Sequence, residues 1–251
     1  MPATPAWPPR SAPRLFIPDC IAQGSNITLE GPKAHYLLRV MRAKAGDTII
    51  LCDDITGEWA ATVVSTEKRR LTLAPAERLR PRETPPDLWL CPALLKKDRF
   101  DLVLEKATEL GVAQIRPLVM RRCVANSLNH ARVRLLVIEA AEQCARTALP
   151  DLQTPATLAE SLRDWPDGRS IFYADENGGA DAMETFGNHA GPAAIITGPE
   201  GGFDPVEREA LENHPAAHPV SLGPRILRAE TAVITSIALW MVASGDWVDS
   251  R

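Results

Sequence analysis

Ala194-Ile195-Ile196-Thr197-Gly198-Pro199-Glu200-Gly201-Gly202-Phe203-Asp204 is the stretch on which the fold reading turns. An apolar, partly β-branched run predicts a buried strand. Three glycines in five residues then predict a loop. Asp204-Pro205-Val206-Glu207 supplies a helix start: an acidic N-cap, proline at the first helical position, and a reciprocal acid three residues after the cap. Strand, glycine loop and capped helix in that order form the repeating unit of a parallel α/β sheet. The loop lacks the Gly-Lys-Ser/Thr of a phosphate-binding loop and is not GxGxxG. Glu200 would repel a phosphate and suits a ligand with a positive centre. Two readings stay open on these residues alone: a tight strand–helix turn, or a backbone cradle for a ligand beyond the carboxyl end of the strand.

Outward from this segment the same texture repeats. Val220-Ser221-Leu222-Gly223-Pro224-Arg225-Ile226-Leu227-Arg228-Ala229-Glu230-Thr231-Ala232 again ends a strand, turns at glycine and enters a helix. That helix, Ala229–Ser244, is apolar nearly all round and is expected to be buried or to meet a second copy. Arg228 and Glu230 at its start read either as a capping salt bridge or as functional charges. Upstream, strands are expected at Leu88–Leu94, Ile115–Val119, Ser170–Ala174, Ala193–Thr197 and His218–Leu222. Helices are expected from about Asp98, as N-cap, to Gly111, and over Val133–Cys144. The first part of the chain has a different texture. Arg14–Ile17, Ile27–Glu30, Asp47–Asp53, Glu58–Thr66 and Leu71–Leu79 read as short strands around one helix at Lys33–Val40, hence a small β-barrel. The expected division is a proline-rich tail over 1–13, a barrel over 14–80, a linker over 81–87, and an α/β domain over 88–251.

Composition narrows the function. The chain has 251 residues, 45% hydrophobic and 24% charged, which excludes wholesale disorder and coiled coil. Its longest uncharged apolar run, Thr231 to Gly245, is short for a membrane span. Five cysteines without a CxxC pair and five scattered histidines argue against a zinc site or a disulfide framework, and fit a reducing cytoplasm. Net charge is −4, but residues 1–136 carry 21 Lys+Arg against 14 Asp+Glu, and residues 137–251 carry 7 against 18. The basic part has the sign needed to face phosphate, or else forms an ordinary solvated face.

The segments GPEGGFDPVEREAL and LGPRILRAETAV resemble the two C-terminal signatures of the RsmE family, SPOUT-superfamily methyltransferases of small-subunit ribosomal RNA. Arg14-Leu15-Phe16, the basic stretch from His35 to Arg42, Lys106–Val112 and Glu142–Arg146 agree in order, so the resemblance covers about residues 14–245. It implies a PUA-like RNA-binding barrel followed by an α/β SPOUT domain with a deep trefoil knot. It further implies S-adenosylmethionine as cofactor, a homodimer, no metal, and methyl transfer to N3 of a uridine in 16S rRNA of the assembled small subunit. The cofactor residues would be Thr197, Gly198, Pro199, Glu200, Gly201, Gly202, Leu222, Gly223, Ile226, Leu227, Arg228, Thr231 and Ala232. Arg228 is the candidate for stabilising charge on the uracil ring, with Glu200 and Glu230 as orienting groups or base. Arg14, His35, Arg39, Arg42, Gln143 and Arg146 are candidates for RNA contact. The chain departs from the family pattern at Arg121, where an acid is expected, at Ala145 for glycine, and at Thr147 for an amide. A catalytically silent RNA binder and a nucleotide-phosphate enzyme are the competing functions. The intact glycine loops weigh against the first, and Glu200 with the missing lysine against the second.

Overall fold

The structure is a computed structural model that describes residues 12–189 and 191–248. The expected tail over 1–13 lies outside the described residues save its last two, of which Pro13 accepts a hydrogen bond from the Ile50 amide (2.8 Å). Two compact units emerge. One takes in residues to Thr84 together with Ala141–Ala148, the other Pro85–Ala140 and the chain from Leu149.

In the first unit, β1 (Arg14–Phe16), β2 (Ile27–Leu29), β3 (Thr48–Asp53), β4 (Gly57–Thr66) and β5 (Leu71–Pro81) form one sheet in the order β1-β3-β4-β5-β2. β1 runs parallel to β3 and the other ladders are antiparallel. The ladders leave β1 and β2 as edges, so the expected barrel is not closed by hydrogen bonds. Helix α1 (Gly31–His35), with proline in its first turn, passes into one π-helical turn over Tyr36–Val40. It packs Ala34 and Leu37 against Leu15, Leu51, Leu71 and Leu73 of the sheet. β5 runs through Pro75 to Pro81, two residues past the expected strand end at Leu79 and into the first residue of the expected linker. β2 covers β5 only from Leu71 to Leu73, so beyond that point β5 is an edge, and an edge tolerates a missing N–H. Buried Asp53 ties the β3–β4 turn together. It accepts from the amides of Ile21 (2.6 Å), Ile55 (3.0 Å), Thr56 and Gly57 (3.0 Å). Burial works against its ionised form, but these hydrogen bonds prevail and hold its pKa below the usual carboxylate range.

The second unit contains β6 (Leu88–Pro92), α2 (Lys97–Glu109), β7 (Gln114–Ile115), β8 (Leu118–Val119), α3 (His130–Cys144, whose end belongs to the first unit), β9 (Asp151–Leu152) and β10 (Ala156–Thr157). It continues with α4 (Leu158–Arg163), β11 (Ser170–Ala174), β12 (Ala180–Asp181), α5 (Ala182–Gly187), β13 (Ala193–Thr197), α6 (Pro205–Glu212), β14 (Ala217–Ser221) and α7 (Ala229–Ala243). The main sheet has the order β12-β14-β11-β13-β6-β7-β9 and every pairing in it is parallel. Alternation along the strands serves two apolar layers. Leu88, Leu90, Phe172 and Ile195 face α2, α5 and α7, whereas Cys91, Ile171, Tyr173, Ala194 and Ile196 face α4 and α6. The expected strand Ile115–Val119 is split. Pro117 cannot donate to a ladder, so β7 joins the main sheet and β8 pairs with β10. Asp98 is not the cap of α2: Lys96 holds that position, and Asp98 lies in the first turn. α4 and α5 escaped the sequence reading, although Thr157 and Glu160 form a reciprocal capping box at the start of α4.

Two departures from the family pattern have clear structural places. Ala145 follows the last residue of α3 with φ 61°, in the left-handed region. The Arg146 amide donates back to the Ala141 carbonyl at 3.0 Å, the bond that closes a Schellman motif. Thr147 is buried and its hydroxyl serves twice, accepting from the Glu83 amide (2.9 Å) and donating to the Pro81 carbonyl (3.4 Å). A hydroxyl therefore covers both roles an amide would have. Left-handed backbone costs a non-glycine residue about 1–2 kcal/mol, and glycine gives back about 0.4–1 kcal/mol of that through unfolded-chain entropy. Ala145→Gly is expected to stabilise the protein by about 0.5–1 kcal/mol, read as a higher urea midpoint at unchanged slope.

Candidate functional site

The register of the main sheet aligns Pro92 and Ala174 on either side of Thr197, with Val220 next to Ala174. Four parallel strands thus end in one row, and their loops open on one edge of the sheet, where open α/β folds place ligands. A cleft of about 780 Å³ lies there. Its walls are the β13–α6 loop from Thr197 to Gly202, the β14–α7 loop from Leu222 to Arg228, the β11–β12 loop from Asp175 to Gly178, and Arg99 of α2. Thr197, Gly198, Pro199, Glu200, Gly201, Gly202, Leu222, Gly223, Ile226, Leu227, Arg228 and Ala232 all line it; Thr231 and Glu230 do not.

The β13–α6 loop is built for close approach. The Gly202 amide donates to the Pro199 carbonyl (2.9 Å), which closes a turn, and Gly202 has φ 69°. A Cβ there would stand 2.6 Å from Glu176 Oε1. Asp204 and Glu207 form the expected capping box of α6. Glu207 also accepts from the Arg121 amide (2.8 Å), and the Arg121 guanidinium lies 3.7 Å from Asp204. That pairing accounts for the basic residue at a position where the family pattern has an acid. Arg122 donates to the Gly201 carbonyl (2.8 Å), tying the loop from outside.

Charge lines the cleft in two clusters. Arg99 stands between the carboxylates of Glu200 (3.4 Å) and Glu230 (3.9 Å). Arg208 of α6 donates to Asp175 and to Glu176 (2.6 Å), both in the β11–β12 loop. The Arg228–Glu230 salt bridge that the sequence left open is absent among the described residues. Arg228 instead occupies the N-cap position of α7 by its backbone, its carbonyl accepting from the Ala232 amide (2.8 Å), and its side chain is exposed without a carboxylate partner. Glu230 is only 8% exposed, and its Oε2 is buried with no hydrogen-bond partner. Thr197 Oγ1 is a second buried, unpartnered oxygen, on a residue of the cleft wall. Burial holds the Cys91 thiol up to about 12, so β6 brings no thiolate nucleophile to this edge. No group of metal-ligating side chains occurs among the described residues.

Sequence reasoning missed Arg99, Asp175, Glu176 and Asn177 of this cleft. Their signal was topological: β6 and β11 flank β13, so the residues after them must share its edge. The expected RNA candidates disperse. Arg14 is taken up by Glu58 (2.6 Å), which also binds Arg80 (2.7 Å). Arg146 is buried against Glu83 (3.1 Å) and lies past the end of α3, so it is not part of an exposed helical stripe with Gln143. Burial lowers its pKa more than the Glu83 carboxylate raises it. Arg42 lies beyond the helical turns with φ 56°, so it does not share a helix face with Arg39. His35, Arg39, Arg42 and Gln143 are exposed.

Comparison with known proteins gives a consistent picture. The family described as RNA methyltransferase domain matches residues 82–241, and the RNA methyltransferase PUA domain matches residues 29–75. A ribosomal RNA small subunit methyltransferase E from Rickettsia conorii is 34% identical over 231 residues, covering 90% of this chain and 93% of the relative. A ribosomal RNA small subunit methyltransferase E from Neisseria gonorrhoeae, solved bound to S-adenosyl methionine, superposes with TM-score 0.85 at 27% identity over 94% of this chain and 99% of its own. A Legionella pneumophila structure in complex with the bound cofactor SAM gives TM-score 0.84 at 27% identity, covering 94% of this chain and 99% of that one.

Arg208 holds the β11–β12 loop against α6. The Asp175 side chain is 7% exposed and that of Arg208 15%. Arg208→Met keeps much of the stem and removes the charge, leaving a covered carboxylate unpaired. The expected cost is about 3 kcal/mol or more, measured as a lowered urea midpoint. A loss within about 0.5 kcal/mol would show that the pair holds nothing.

Proposed function

The chain belongs to the ribosomal RNA small subunit methyltransferase E family, and from that premise we propose that it methylates N3 of a uridine in 16S rRNA of the assembled small ribosomal subunit, using S-adenosylmethionine. The observation that carries this reading is the cleft itself. Both glycine loops and four strand ends converge on it, and the acids Asp175, Glu176 and Glu200 share its wall with Arg99, Arg225 and Arg228. The fit to the cofactor rests on three features of this chain. Glu200 and Glu176 suit a positive centre; the Gly198–Gly202 backbone leaves room that a side chain would fill; and Thr197 Oγ1 is a buried polar atom awaiting a partner. The residues that would hold the cofactor are those of the Thr197–Gly202 and Leu222–Arg228 loops, Arg228 by its backbone alone, with Ala232 and the adjoining Thr231.

When bound, S-adenosylmethionine supplies a methyl group on a sulfonium, whose departure leaves a neutral thioether and needs no metal. The protein's own work is to align N3 with the methyl and to manage the N3 proton. Glu200, on the cleft wall, is the proposed proton acceptor. Glu230, buried behind Arg99, acts by orientation: it holds the guanidinium that in turn steadies Glu200. Arg228, exposed on the wall and without a carboxylate within ion-pair distance among the described residues, has its paired donors available for a uracil carbonyl oxygen as negative charge develops there. The PUA-like unit grips RNA, for which His35, Arg39, Arg42 and Gln143 are the exposed candidates.

Three further parts belong to the same proposal. The chain path through the two glycine loops is the trefoil knot of the SPOUT fold. The protein is a homodimer: α7 leaves Ile234, Ala238 and Val242 partly exposed outside its buried stripe, and a second copy would cover them. Light scattering that gave a monomer at micromolar concentration would refute this. The site of action is the cytoplasm; no helix among the described residues is long and apolar enough to cross a membrane.

The deciding experiment is mass spectrometry of 16S rRNA from a deletion strain. N3-methyluridine is expected to vanish there and to return with this gene; calorimetry with S-adenosylhomocysteine separates a silent RNA binder from an enzyme. Gly202→Ala strains a left-handed residue and pushes on Glu176. It is expected to weaken S-adenosylhomocysteine binding by about tenfold or more, about 1.4 kcal/mol, while the fold persists by circular dichroism. Arg228→Lys keeps charge but loses the planar fork. Its single-turnover rate at saturating cofactor is expected to fall about 10²-fold, with cofactor affinity and melting temperature unchanged. A near-normal rate would remove Arg228 from the catalytic group.

A further inference from the structure

The first unit has its own hollow, of about 220 Å³, lined by Gly31, His35, Leu38, Arg39, Lys68 and Arg69. Two elements build it. α1 and its π-helical turn supply His35 and Arg39, four residues apart. The β4–β5 turn supplies Lys68 and Arg69 at its two corners, and the Glu67 amide closes that turn onto the Arg70 carbonyl (2.8 Å). The corner side chains are therefore directed by a closed turn.

Most basic side chains of this unit are already engaged. Arg14 and Arg80 share Glu58, Arg82 binds Asp54, and Arg146 binds Glu83. Lys33 and Arg78 donate to the carbonyls of Phe16 and Thr56. Arg70, beside the hollow, takes both neighbouring acids, Glu30 (2.9 Å) and Glu67 (3.9 Å). Arg39, Lys68 and Arg69 are exposed and have no carboxylate within ion-pair distance among the described residues. Unneutralised cations thus collect around one concavity, and the acids that could quench them are bound elsewhere. Next to it the same helical turns expose Tyr36 (40%), Val40 (63%) and Met41 (40%). A basic hollow beside an exposed aromatic ring and apolar side chains is the surface that grips a single strand, phosphate in the hollow and base on the ring.

We propose that this hollow seats a backbone phosphate of the RNA substrate, with Lys68 and Arg69 of the β4–β5 turn as contacts and Tyr36 stacking on an adjacent base. The proposal rests on the rRNA methyltransferase reading and adds to it a site outside the catalytic cleft. Each cation that displaces counterions from a single strand contributes about 0.7 to the slope of log affinity against log salt.

The test titrates fluorescent oligouridylate and a mixed-sequence oligoribonucleotide with the full-length protein, without cofactor, over a range of salt. The K68A/R69A variant is expected to weaken both probes alike and to flatten the slope by about 1.4, two contacts at about 0.7 each. Arg78→Ala, which removes an exposed cation of the same unit that is engaged by the Thr56 carbonyl and so releases no carboxylate, is expected to leave the slope unchanged. Tyr36→Ala is expected to weaken binding at constant slope. An unchanged slope in K68A/R69A, or an equal loss in Arg78→Ala, overturns the proposal, the second outcome reducing it to bulk charge. Inorganic phosphate that displaced oligouridylate at micromolar concentration would also overturn it, since the site would then hold a free anion. Single-turnover methylation of small subunits at saturating substrate keeps the two readings apart. K68A/R69A is expected to raise the half-saturating concentration and leave the maximal rate intact, whereas a wild-type protein that transferred no methyl would fail the catalytic reading and leave the phosphate site standing.

Discussion

The C-terminal unit depends on one constraint: parallel register across β6, β13, β11 and β14. Leu88 pairs with Ala193, Ser170 with Ala193, and Ile171 with Ala217, so Pro92, Thr197, Ala174 and Val220 stand level, the first three ending their strands and Val220 one residue short of the end of β14. Parallel strands leave their carboxyl ends on one edge, and each must then turn back over a face of the sheet. The loops have nowhere else to go. Cleft, glycines and caps follow from that geometry. Gly202 at φ 69° lets the chain turn short of Glu176, and Asp204 with Glu207 starts α6 at once. The apolar interior enforces the register, because a one-residue slip would turn Ile195 out of one layer and Ile196 out of the other.

Arginines then fasten loops that have little packing of their own. Arg122 holds Gly201, Arg208 joins α6 to Asp175 and Glu176, and Arg99 spans Glu200 and Glu230. Each joins residues far apart in sequence, and each fork gives directional support that a lysine would not. Arg99 differs from the other two. It serves two carboxylates at 3.4 and 3.9 Å, longer than the tight contacts of Arg208. Glu230 is left with an unpartnered buried oxygen. Two carboxylates that share one guanidinium keep acceptor capacity that a bidentate pair would use up.

The legible parts of the molecule were those written in local pattern. The capping box at Asp204, the apolar run into Thr197 and the continuous apolarity of α7 each need only a few neighbouring residues, and each stands where expected. Parallel α/β architecture followed from their alternation. What escaped depended on distant pairing. That β5 continues past Leu79 to Pro81 was hidden, because nothing local says that β2 stops at its Leu73 partner and frees the edge. Pro117 divided one apparent strand between two sheets. Arg99, Asp175 and Glu176 carry no local motif at all and reach the cleft only because their strands neighbour β13. Arg14 and Arg146 read as free cations because the sequence does not disclose Glu58 and Glu83 as their partners.

The same distinction, paired against unpaired, explains why a net charge of −4 misleads about partners. Coulomb interaction at a surface is screened within about 8–10 Å, so an approaching phosphate meets local charges and not the total. In the C-terminal unit the acids around the cleft are turned inward onto Arg99 and Arg208, where they hold loops. In the N-terminal unit the acids take up Arg14, Arg70, Arg80 and Arg82, and leave Arg39, Lys68 and Arg69 uncovered on one side. Acidic surplus and basic face therefore coexist without contradiction. The acids that dominate the count are largely committed to structure, and the cations left outside are the ones that a polyanion can reach.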